Sequence, residues 1–294
     1  MAYTVSGLTD YVKENEAIIL KDVVFGNAYG DTIPLMAKQL GVKDKARIHP
    51  STLDVTLQNV TGCSFSADTD LEFSEREIET KQKKVNAEFC EEDLLGKFAE
   101  YEVTVGANED SLPFEAELID GMVKSVNKQV ETDVWTDLIG ICSGAADSAS
   151  VVSVSAVCGT SAYDYIMKMY MAIPEEVLND AIIFVSPAVF REYIKDLVEK
   201  NLYHYNPADG ALSEMFIPGT GVKVRKADGL AGKENAFATS PRNMIYGTDM
   251  LNNKEQVKVW FSDDNDTWRI KMRFNYGVQI AFPDLVVYGT RATA

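Results

Sequence analysis

Between Phe114 and Leu138 an apolar residue recurs at every fourth position: Phe114, Leu118, Met122, Val126, Val130, Val134 and Leu138, with Ile119, Val123 and Ile141 beside them. That spacing lays one stripe along an α-helix, and Ser111 and Pro113 supply its start signal. The predicted helix runs unbroken from about Pro113 to Cys142. At 1.5 Å per residue it is about 45 Å long, against a radius of gyration of ~13 Å for a 100-residue domain. An element of that length has to act as a beam. The small-residue run Ser143-Gly-Ala-Ala-Asp-Ser-Ala-Ser150 then reads as a linker and a candidate domain boundary, in a chain of 294 residues that holds one large or two ordinary domains.

Ahead of the beam, two patterns succeed each other. Thr9 and Asp10 cap a run in which Tyr11, Val12, Ile18, Ile19 and Val23 recur with helical spacing until Gly26. Pro34 opens a second short helix, predicted to close at Gly41. From Leu53 the period becomes two: Val55 and Leu57, and after the 62–68 turn region Leu71 and Phe73, alternate with polar residues. This predicts a long hairpin. Its returning strand, Glu75 to Lys84, reads as polar on both faces, so it has no apolar side for its own core, and a lone two-stranded ribbon is only marginally stable in water. The expected remedy is a neighbouring subunit.

Beyond the linker the pattern is α/β. A helix is predicted around Tyr163 to Ala172, a strand at Ile182–Val185, a helix from Ser186-Pro187 through Leu197, strands at 222–224 and 235–239, and another helix start at Ser240-Pro241. Strands close the chain at 257–261, 268–274, 277–282 and 285–288, with Asn275-Tyr-Gly277 read as a break between the second and third.

Chemistry is sparse by comparison. With 28 Lys+Arg against 45 Asp+Glu the net charge is -17, the wrong sign for a protein whose main surface grips phosphate backbones. The densest basic cluster, Lys81-Gln-Lys-Lys84, reads as a solvated strand face or an ionic contact to an acidic neighbouring subunit. Cys63, Cys90, Cys142 and Cys158 include no CxxC pair, and two histidines, His49 and His204, offer little to a metal site or a His-based centre. Gly140-Ile-Cys-Ser-Gly144 mimics a nucleophile elbow but follows a long helix where a strand is required. Gly219-Thr-Gly221 lacks the third glycine and following helix of a dinucleotide fingerprint. Trp135, Trp260 and Trp268 lie on regular elements and read as packing residues. Asn59-Val-Thr61 and Asn265-Asp-Thr267 match the glycosylation pattern by chance, because Met1-Ala-Tyr-Thr-Val-Ser6 has no basic stretch and apolar region to begin a secretory route.

The order of parts resembles the major capsid protein of tailed bacteriophages, the HK-ninety-seven-type fold, over essentially the whole chain. Locally, Cys63-Ser-Phe-Ser66, Arg76-Glu-Ile78, Phe89-Cys-Glu-Glu-Asp-Leu-Leu95 and Val130-Glu-Thr-Asp-Val-Trp135 are similar to the capsid proteins of crAss-like phages, and Trp268 to Tyr288 resembles the strand pair that ends many of them. The resemblance implies an α+β architecture: an N-arm at 1–50, an E-loop hairpin at 51–92, a P-domain with spine helix at 93–145, an A-domain with a central sheet at 146–255, and strands at 256–294 returning to both domains. It implies self-association into hexameric and pentameric capsomers that close as an icosahedral head shell around double-stranded DNA, without sequence-specific binding. Scaffold, portal and decoration proteins are the further partners implied, and the virion, after assembly in the host cytoplasm, is the implied location. No catalytic residue, cofactor, metal or membrane contact is implied. Encapsulin-like nanocompartment shells share the fold, and a cytosolic thiol enzyme using Cys142 or Cys158 is the alternative of a different class.

Overall fold

The computed structural model describes residues 12, 15, 16, 18, 19, 32–54, 70–73, 75–90, 114–144, 149–157, 159–202, 213–249, 257–262 and 267–292. The long helix, α1 (Phe114–Ser143), spans 30 residues, as its four-residue repeat predicts. Val123, Val126, Val130, Val134 and Leu138 are buried along one side, in a core shared with Ile270, Met272, Phe274, Tyr276 and Ile280. Those five alternate along one strand, β14 (Thr267–Ile280), so α1 lies over a sheet face whose inward residues come two apart.

Around β14 a five-stranded sheet is assembled from distant parts of the chain. Strand β12 (Met244–Thr248) pairs antiparallel with residues 276–280, and β13 (Val257–Ser262) with residues 267–272. Along the opposite edge runs β6 (Lys81–Phe89), antiparallel, with Lys81 opposite Tyr276 and Phe89 opposite Trp268. Strand β1 (Ala37–Leu40) completes the sheet in parallel with β12.

Two of these strands correct the sequence reading. The short helix expected from Pro34 to Gly41 is a single 3-10 turn, Ile33–Leu35, followed by β1. A parallel partner in β12, itself not anticipated, outweighs the local helix signal. Nor does Asn275-Tyr-Gly277 break β14, because β6 and β12 continue the ladder on both sides of Tyr276.

A six-stranded sheet forms the second layer, in the order β7 (Val152–Ala156), β15 (Val287–Arg291), β11 (Asn235–Thr239), β8 (Ile182–Val185), β10 (Lys223–Lys226), β9 (Glu214–Phe216). Helices α2 (Ala162–Ala172) and α3 (Pro187–Glu199) pack against it through Tyr165, Ile166, Met169, Val189, Phe190 and Tyr193. Their starts follow the sequence closely. Ser161 and Ser186 are N-caps whose hydroxyls accept from the N–H of Asp164 and Val189, and Pro187 stands at the first helical position. By contrast Ser240-Pro241 starts only a 3-10 turn, Pro241–Asn243, before β12 takes over.

Trp135 joins the two layers. It is fully buried, with ring centroids 5.3 Å from Phe184 of β8 and 5.4 Å from Phe237 of β11. Beside it Gly229 lets a 3-10 turn (Asp228–Leu230) approach so closely that a Cβ there would meet the Glu131 carbonyl and the Trp135 ring. The beam therefore serves both sheets, one by its aliphatic stripe and the other by this indole.

Candidate functional site

Among the described residues, none of the cysteines and histidines that could carry chemistry converges with another. Cys142 is only 2% exposed, packed in the core at the end of α1, so its thiol is closed to substrate. The thiol-enzyme alternative loses that residue. Cys90 is exposed just beyond β6 and His49 is exposed between strands, while Cys63, Cys158, His204, Asn59 and Asn265 lie outside the described residues. Gly140 to Gly144 closes a helix, and Gly219-Thr-Gly221 is the tip of the β9–β10 hairpin, where Ile217 and Val222 pair and Gly219 takes φ 78. Among the described residues no group of three His, Cys, Asp or Glu is placed to hold a metal, and no helix is long and apolar enough to cross a membrane.

What the fold does build is a two-stranded ribbon. Strand β2 (Lys45–Ile48) pairs antiparallel with β5 (Arg76–Glu79), and β3 (Ser51–Asp54) with β4 (Asp70–Phe73). Lys45 faces Glu79, and Asp54 faces Asp70. The register is the same in both patches, so this is one two-stranded ribbon, interrupted near Pro50, which has no N–H to give the ladder. Ion pairs Lys45–Glu77 at 3.0 Å and Arg47–Glu75 at 2.8 Å cross it.

Its root is anchored more firmly than the sequence pattern predicts. Glu75 to Lys84 is not polar on both faces: Ile78 is fully buried, and a Cβ on Gly247 of β12 would press on its Cδ1 at 2.8 Å. At Gly277 of β14 the Glu79 carbonyl passes so near that no side chain fits. Thr80 is tied down by its N–H to the Asp44 carbonyl at 2.7 Å, and Gln279 donates to the Glu77 carbonyl at 2.8 Å. A single isoleucine among charges leaves no periodic signal, which is why pattern reading passes over it.

Beyond Thr80 the same chain becomes β6, and Lys81 to Lys84 is an integral strand of its own sheet. The side chains alternate: Lys83, Val85, Ala87 and Phe89 turn inward, and Gln82, Lys84, Asn86 and Glu88 outward. Lys83 reaches Asp133 on α1 at 3.2 Å, and the Tyr276 hydroxyl donates to the same carboxylate oxygen at 2.8 Å. Partial burial pushes the Asp133 carboxyl up, but hydrogen bonds from Tyr276, Gln129 and Lys83 outweigh it and hold the group below its ordinary value. Burial and that same carboxylate drive the Tyr276 phenol well above its ordinary value.

The N-terminal segment also stays with its own chain where it is described. Val12 and Ile19, seven residues apart, are buried in the core of α1 and β14, and Glu16 between them accepts the N–H of Val257 at 3.2 Å. The hairpin of β13 and β14 presents Trp260 and Phe261 at its surface, 41% and 39% exposed. Trp260 thus departs from the packing role its position predicts, while Trp135 keeps it.

No protein-family model matches the sequence, and neither does any curated protein. Solved structures do match. The procapsid of satellite phage P4, which includes the size-determination protein, aligns with 100% of this chain and 93% of its own at a TM-score of 0.62 and 10% identity. The capsid of cyanophage P-SCSP1u aligns over 88% and 87% at 0.55 and 10% identity. A virus-like particle from Pyrococcus furiosus aligns over 95% and 99% at 0.53 and 9% identity. The fold is that of capsid shell proteins. That α+β fold is shared here at sequence identities of only 9–10%.

Proposed function

We propose that this chain is a major capsid protein, which self-assembles into hexameric and pentameric capsomers forming the icosahedral head shell of a tailed phage. The observation that carries this reading is the extent of the shared fold: phage capsid structures cover 88–100% of this chain and 87–93% of their own. The ribbon supports it. A two-stranded ribbon is only marginally stable alone, and contacts with neighbouring copies are the general way such an element gains stability.

In this reading residues 1–50 form the N-arm, 51–92 the E-loop, 93–145 the P-domain, 146–255 the A-domain, and 256–294 the strands that return to both. The shell encloses double-stranded DNA, which the charge of -17 keeps from adhering to the protein. Scaffold, portal and decoration proteins are its assembly partners, and the finished location is the virion. The match to a virus-like particle from Pyrococcus furiosus favours one second reading, a nanocompartment shell that encloses protein.

Negative-stain microscopy with light scattering on the purified chain tests the proposal. Closed shells or free capsomers are expected, and a chain that stays monomeric at every concentration and salt would overturn it. Nuclease-protected DNA in particles recovered from an infected host separates the phage head from the nanocompartment.

A further inference from the structure

The apolar stripe of α1 leaves its own axial position open. Val126, Val130 and Val134 are the same residue four apart, with Leu138 next. A beam drawn one turn back along its axis, by about 6 Å, would set Val130 where Val126 lies, Val134 where Val130 lies and Leu138 where Val134 lies. The clasp repeats in step. Asp137 would take the place of Asp133 beside Lys83 and Tyr276, and it already stands within electrostatic reach of the Tyr276 phenol. Neither the aliphatic packing nor the carboxylate clasp therefore tells one seating of the helix on β14 from the next.

A second buried line on α1 does not repeat. Asn127, Glu131 and Trp135 also follow one another at every fourth residue, each at most 1% exposed, but they differ in size and in hydrogen-bonding need. The Trp135 indole can only donate, and it does so to the Thr32 hydroxyl at 3.2 Å. That hydroxyl has one proton, which it gives to Glu131 Oε1 at 2.7 Å, a length typical of a charge-assisted bond. Both polar atoms of the Asn127 side chain are buried with no hydrogen-bond partner among the described residues, so this line costs stability where an apolar one would not. The same slip would undo it. Trp135 would displace Glu131 at Thr32, beside a Gly229 that has no room for a Cβ, and Ile139 would replace the indole between Phe184 and Phe237.

We propose that Thr32, Glu131 and Trp135 form a register key, which holds the beam in one of two seatings that its stripe and clasp accept equally. A polar residue at a core position of a coiled coil selects register in the same way, at a cost in stability. Asn127 adds to the key by exclusion, because the slip would carry its amide into the aliphatic place of Val123. The key concerns the subunit itself, so it stands whether or not copies associate.

Spin-label distances in the full chain test it, with Cys63, Cys90 and Cys158 changed to Ser and Cys142 to Ala. Nitroxides are placed at the exposed positions Asp120→Cys on α1 and Arg273→Cys on β14, and the sample is spin-diluted with unlabelled chain. Thr32→Val, Glu131→Leu and Trp135→Phe together remove the key. A second distance, offset by several Å and at most about 6 Å, is then expected beside that of the parent chain. Thr32→Ser with Glu131→Gln keeps the relay and is expected to leave a single distance. Adding Asp133→Asn to the keyless chain breaks the clasp of the first seating alone, since Asp137 serves the second, and is expected to raise the ratio of second to first about fivefold. Circular dichroism melts check folding, and Thr32→Val with Glu131→Leu, which leaves the indole in its slot, is read in the same way should the triple variant unfold. One unchanged distance in the folded keyless chain, or a second distance that ignores Asp133→Asn, would overturn the proposal.

Discussion

At the scale of single residues, the positions that matter are those where the chain leaves no room for a substitute. Val126 lies mid-stripe on α1 and is buried, whereas Lys128 two residues on is exposed. Val126→Asp strands a carboxylate in the core and should cost about 3 kcal/mol or more, while Lys128→Asp should stay within about 0.5 kcal/mol. Chemical denaturation of the two variants checks the register of the beam. Glycines give a second contrast. A side chain at Gly247 presses on the flexible end of Ile78 and touches the Thr80 methyl, but one at Gly277 meets the backbone carbonyl of Glu79, which cannot retreat without moving the ribbon root. Gly277→Ala should therefore lower the melting temperature more than Gly247→Ala, and it should speed amide exchange in β5.

Among the elements, the clasp between sheet and beam is the one that titrates. Because the folded-state Asp133 carboxyl lies below its ordinary value, its stabilisation is complete above the unfolded pKa of about 3.9 and is lost as pH falls through the folded value. Asp133→Asn should cost about 1 kcal/mol at pH 7, and the difference from wild type should close below about pH 4 in a series of melts. How much of this level could be read beforehand depended on the kind of signal. Helix α1, strands β8 and β11, the span of α2 and the capped start of α3 are written in local periodicity and capping chemistry. Strands β1, β7 and β12 are short and held by partners far along the chain, so nothing nearby in sequence marks them. Likewise the ribbon was legible from its alternation, but its anchorage through Ile78 exists only once β5, β6 and β14 are side by side. The exposed Trp260 was hidden for the same reason, since a strand's two faces look alike until the sheet chooses which to bury.

For the whole molecule, two electrostatic effects of different reach compete during association. Net repulsion between copies at a charge of -17 acts over distance and is screened within ~10 Å at 0.1 M salt, while contacts between opposed charges act at close range and weaken only when screening shortens to ~3 Å at 1 M. Shell formation should be steep in protein concentration, rise with salt to roughly 0.1 to 0.2 M, and decline again toward 1 M. Light scattering across a salt series at fixed protein concentration checks this, and a purely monotonic rise would remove the close-range attraction from the account.

The joining of the ribbon to β6 also has a mechanical consequence. Ladder hydrogen bonds in an antiparallel pair stand perpendicular to the strands, and the 9 residues of β6 are all matched to β14. A pull on the ribbon along its axis therefore loads those bonds in shear, all together, and does not unzip them one rung at a time. In the proposed shell, a load on one subunit's ribbon would travel into the sheet and beam of its own body. Pulling a single subunit by the ribbon end against α1 should accordingly give one high rupture force, and pulling β6 sideways from Phe89 a series of low ones.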